Sequence, residues 1–217
     1  MKNIICTTIL ILSGIVIGNA QWRFDIVGGV SPSSSPSSAG LIVNRHAPHE
    51  EFVFNVAKVQ PQLFAGFKSQ LQLSSPFFAE AGLMYSRKES TYDVTYTIID
   101  TEHPVPNHLL NEVDHQIMLP VNIGVNLGSF DVMSGLRITQ SINKKSELTQ
   151  LSGFSADGNK PQFGWQGSVG YYFLRNRIGL EYHGSFTRVG SGMTLNNQSL
   201  ELNNVPGQIS LMISHTL

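Results

Sequence analysis

From Trp22 the chain alternates: Trp22, Phe24, Ile26, Gly28 and Val30 are apolar or small, with Arg23 and Asp25 between them. A repeat of two puts these side chains on one face of an extended strand. The repeat recurs from Leu63 to Leu73, Phe77 to Tyr85, Ile117 to Leu127, Phe130 to Ile138, Phe163 to Phe173, Ile178 to Phe186 and Val205 to Ile213. Eight strands are therefore expected. After residue 20 no segment approaches the roughly 18 consecutive apolar residues of a spanning helix.

The connections are unequal in an ordered way. Ser74-Ser75-Pro76, Gly128-Ser129 and Leu174-Arg175-Asn176-Arg177 join strands two to three, four to five and six to seven as short hairpin turns. The others are long: roughly Ser31 to Val59, Ser86 to His115, Asn143 to Pro161 and Arg188 to Asn204. An even strand count, with short turns at one end and long loops at the other, describes an all-β, eight-stranded antiparallel up-and-down transmembrane β-barrel. Its turns and termini are expected to be periplasmic and its loops extracellular.

The alternation alone does not say which face is outside, so a secreted soluble barrel is the competitor. Composition separates them. Only 13% of the residues are charged, against about 25% in an ordinary soluble domain. The polar face is also built from small amides, hydroxyls and glycines such as Asn122, Gly124, Gln166 and Ser168, which suit a narrow interior. With 14 basic against 15 acidic residues, nucleic acid is excluded as a partner. Lys2, the apolar run Ile4 to Ile17 and the small-residue end Gly18-Asn19-Ala20 read as a signal peptide over residues 1–20, leaving 21–217 as one barrel domain exported by the Sec route. Cys6 falls within that leader, so no disulfide is expected.

The stretch His115-Gln116-Ile117-Met118-Leu119-Pro120-Val121, followed by a strand, a glycine-centred turn and the returning Gly135-Leu136-Arg137 strand, resembles the small outer-membrane barrels of Bacteroidota that include the PorT-like proteins. The resemblance implies a barrel in the outer membrane, covered by lipid and lipopolysaccharide, with secretion machinery as one setting.

Parity places Arg23, Asp25, Lys68, Glu80, Asp131, Arg137, Glu181 and His183 inside. Eight strands leave an interior that side chains fill, so these charges are expected to pair as a plug; a narrow pore or ion path is the alternative. Glu181, His183 and Ser185 supply the residue types of a hydrolytic triad, but neighbours two apart on a strand lie about 6 to 7 Å apart and point inward, away from acyl chains. The chain is read as a non-enzyme without a cofactor. Loop histidines His46, His49, His103 and His108, near Glu50, Glu51, Glu102 and Glu112, are the weak candidates for a metal site. The serine- and proline-rich run from Ser31 through Ser38 reads as a surface segment, and Thr91 to Ile99 alternates as though strands three and four continue beyond the membrane. Such an extension has open edges, and Ser31, Pro36, His46, Tyr92, Tyr96 and Ile98 are expected to meet a protein partner. The expected role is an accessory or scaffold subunit of an envelope assembly for export, barrel assembly or uptake.

Overall fold

The computed structural model describes residues 21–32, 41–43, 50–98, 108–151, 153–156, 160–186, 193–195, 198–199 and 207–217, with only the backbone described at 41–43, 50–54, 96–98, 108 and 198–199. Eight long strands carry the architecture: β1 (Trp22–Ser31), β2 (Gln62–Ser74), β3 (Phe77–Ile98), β4 (His108–Leu127), β5 (Phe130–Ser146), β6 (Gln162–Phe173), β7 (Asn176–Ser185) and β8 (Gly207–Thr216). Each pairs antiparallel with its sequence neighbours, and β1 also pairs with β8, which closes them into a ring. The expected eight strands are present and their order is the chain order.

The register is staggered. From Glu80 one row runs through Asn122, Gly135, Gln166 and His183 to Gln208. The row leaving Glu80 the other way, through Gln70 and Arg23, would reach β8 ten residues beyond that point. Closure with such a stagger tilts strands by roughly 35–45°. Tight turns hold one end, among them Gly128, whose positive φ of 71° costs a residue without Cβ little. Asp25 stands opposite Thr216, so the start of β1 and the end of β8 lie at the turn end.

Alternation decides what each face meets. Phe24, Phe67, Leu83, Ile123, Leu136 and Leu211 project outward and are about half or more exposed. On β4 the outward positions from Ile117 to Leu127 are all apolar. Ten steps of about 3.4 Å, tilted by roughly 45°, make a band about 25 Å tall. Trp22, Phe130, Tyr171 and Phe173 stand near its turn-end margin, and Tyr85, Phe163, Trp165 and Phe186 toward the other. Inward positions are buried and mostly polar, with an apolar cluster of Val27, Phe64, Met84, Met118 and Met212 among them.

Beyond the apolar band the wall is uneven. β3, β4 and β5 continue well past the ends of the other strands, so the segments expected as loops from Ser86 and to His115 are largely strand. The first connection is also partly strand. Glu50–Val59 pairs with Ser90 to Ile98 of β3, and Leu41–Val43 pairs with it in turn. The β3 edge of that extension, expected to be open, is thus paired with a strand of the chain itself. Over the extension lie a short 3₁₀ turn (Glu147–Gln150) and a small sheet of 154–156, 193–195 and 198–199. Val56, Val59, Tyr92, Val94, Leu110, Leu148, Met193 and Leu195 are buried together there, with Leu151, Phe154 and Ala156 against them. The long connections thus build a cap with its own apolar core.

Candidate functional site

Strand parity brings most of the charged residues expected inside to the interior, and their pairing is specific. At the turn end the Arg177 guanidinium donates from Nε and Nη2 to the two oxygens of Asp131, both at 2.6 Å, and from Nη2 to Ser168 Oγ at 2.9 Å. Asp131 is 1% exposed. Gly170 and Gly179 make room for this guanidinium, since a Cβ on either would run into it. Arg23 lies half-exposed nearer the rim, donating to Asp25 at 3.2 Å and to Tyr172 Oη at 2.5 Å, with its guanidinium 4.7 Å from the Tyr172 ring centre. Thr216 donates to the other oxygen of Asp25 at 2.8 Å, which ties the last strand to the first.

A second network begins one strand away. Lys68 Nζ stands 3.0 Å from Glu80 Oε1, which also accepts from Asn122 Nδ2 at 3.0 Å; Asn122 Oδ1 accepts from Gln166 at 2.8 Å. Carboxylates and cations removed from water are tolerated only when paired and hydrogen-bonded in this way. Arg177, Tyr172, Asn122 and Gln166 complete the networks but were missed as site residues. Arg177 reads from sequence as part of a turn, whereas β7 begins at Asn176 and turns its side chain inward.

Glu181, His183 and Arg137 are placed differently. With Ser31, Gln62 and Ser210 they line a cavity that holds about 10 Å³, roughly the room of one water. His183 Nδ1 is 4.0 Å from Glu181 Oε1, and His183 Nε2 meets Gln208 Oε1 at 3.1 Å. Ser31, expected in a surface loop, is instead the last residue of β1, 1% exposed, with its hydroxyl 2.5 Å from that of Ser210. The tight β1–β2 pairing through Ser31 and Gln62 accounts for this, because it carries the alternation one residue further than the low-complexity run suggests.

The cap corrects another expectation. Tyr92 faces the cap core and is not presented to a partner; its hydroxyl donates to Glu112 at 3.3 Å, and Lys144 Nζ lies 3.0 Å from the same carboxylate. Burial, followed by the Glu112 charge, holds the Tyr92 phenol well above its ordinary value. Tyr96 and Ile98 lie in β3 opposite Phe52 and Glu50, in backbone register with the chain's own strand. His108 opens β4 opposite Val94. Pro36, His46, His49 and His103 lie outside the described residues, as does the segment 1–20.

No protein-family model matches this chain, and neither does any curated protein. Among solved structures it is similar to the outer membrane protein OprG from Pseudomonas aeruginosa, at 10% identity over 92% of this chain and 98% of that one, with a TM-score of 0.45.

Proposed function

We propose that the chain is an integral outer-membrane β-barrel with a sealed interior, its turns periplasmic and its cap extracellular, and that it serves without catalysis as an accessory or scaffold subunit of an envelope assembly. The supporting observation is the combination of an apolar wall about 25 Å tall with a polar, side-chain-filled interior in which Lys68 pairs with Glu80 and Arg177 with Asp131. A wall of that composition calls for lipid, and eight strands leave an interior that side chains fill, which favours a barrel without an open channel. What remains for binding is the outer surface of the cap and the lipid-facing wall. The resemblance to PorT-like barrels of Bacteroidota makes the secretion machinery of those bacteria one setting; barrel assembly and nutrient uptake are others.

The competing reading, a narrow pore or ion path, draws on the polar cavity beside Glu181 and His183. Planar bilayers separate the two. A sealed barrel gives no steady unitary conductance, and a stable open level refutes it. The subunit role is tested by extraction from native membranes in mild detergent followed by mass spectrometry. A reproducible larger assembly supports it; recovery of the protein alone and monomeric at native abundance defeats it.

A further inference from the structure

Most polar groups around the interior cavity have a protein partner: Ser31 with Ser210, Gln62 with Ser86, and His183 Nε2 with Gln208. Two do not. Glu181 Oε2 and His183 Nδ1 have no hydrogen-bond partner among the described residues, although Glu181 is 2% and His183 7% exposed. Both side chains line the cavity, and Arg137 lines it too. His183 Nδ1 stands 4.0 Å from the other oxygen of the Glu181 carboxylate, Oε1, which is too long for a direct hydrogen bond but close enough for one small molecule to bridge the imidazole and the carboxylate.

The charges around the cavity narrow what that molecule is. A cation would sit beside the Arg137 guanidinium, and an anion beside the Glu181 carboxylate. A neutral species that both donates and accepts conflicts with neither, and about 10 Å³ admits one molecule of water. Toward the turn end of the ring lie the Arg177–Asp131 and Lys68–Glu80 pairs, and on the other side the cap core packs over the extension of β3 and β4. We propose that this cavity is a built hydration site, in which one water donates to Glu181 Oε2 and hydrogen-bonds to His183 Nδ1.

The direct test is a crystal structure of the full chain, in detergent or bicelles, at a resolution that places waters. One ordered water within about 3.2 Å of both Glu181 Oε2 and His183 Nδ1 is expected. An empty cavity, or Arg137 folded onto Glu181 so as to fill it, overturns the proposal. Oxygen-17 relaxation dispersion supplies a second test in solution. Ser210→Val places methyl groups in the cavity and is expected to remove one long-lived water relative to wild type, while Ser210→Ala retains it. Equal counts in all three proteins, each checked for its β-sheet circular dichroism, also overturn it.

Discussion

The Arg177 side chain leaves β7, crosses the ring interior and binds Asp131 on β5 and Ser168 on β6 with three hydrogen bonds. Replacing Arg177 with Met strands an Asp131 carboxylate that has almost no solvent contact, and breaking a buried pair by removing one partner costs about 3–5 kcal/mol. Urea unfolding in bicelles, followed by tryptophan fluorescence, is expected to show that loss; a double variant that also carries Asp131→Asn recovers much of it. The exposed Arg87–Glu89 pair, at 3.1 Å, is the contrast. Arg87→Ala is expected to change stability by less than about 1 kcal/mol, because water screens both charges. A shift of several kcal/mol at Arg87, or none at Arg177, contradicts this assignment of the interior.

At the level of elements, the cap is held by side chains from far apart in the chain. Leu195 is fully buried against residues of β3, β4 and the Glu147–Gln150 turn. Leu195→Ala is expected to loosen the cap by about 2–4 kcal/mol while leaving the ring closed. Limited proteolysis should then cut the connections around residues 153–156 and 193–199 faster, with the fluorescence-detected unfolding of the ring unchanged. The cap also carries a pH signature. The Tyr92 phenol titrates near 10.0 in the unfolded chain and well above that when buried, so above pH 10 unfolding releases a proton and cap stability falls as pH rises. In Tyr92→Phe that fall is expected to shrink, as read by proteolysis between pH 9 and 11.

These elements differ in how far the sequence announces them. The ring strands are legible because each repeats its alternation over nine or more residues against an unchanging environment on either side. The upper half of β3 shows in Thr91 to Ile99 for the same reason. Glu50–Val59 was missed because Val53 falls between Phe52 and Phe54 and blurs the repeat. Leu148, Met193 and Leu195 stand as isolated apolar residues in polar surroundings, and only the tertiary fold collects them into a core. The interior charges could be assigned to a face by counting, but their partners could not, since Lys68–Glu80 and Arg177–Asp131 depend on the stagger between strands.

For the whole molecule the decisive surface is the apolar wall. Val121, 57% exposed, projects outward near the middle of the band, and Leu109, 63% exposed, projects from β4 above it. In a bilayer, Val121→Arg is expected to cost about 2–4 kcal/mol and Leu109→Arg close to nothing, measured as reversible unfolding from liposomes. Equal, small effects at both positions would mean that the wall faces water. The cap has a further consequence, which concerns time. Val56 and Val59 come from the first connection of the ring, and Met193 and Leu195 from the last. Its core therefore joins segments separated by most of the chain, and its apolar faces stay uncovered until the first and last connections of the ring come together.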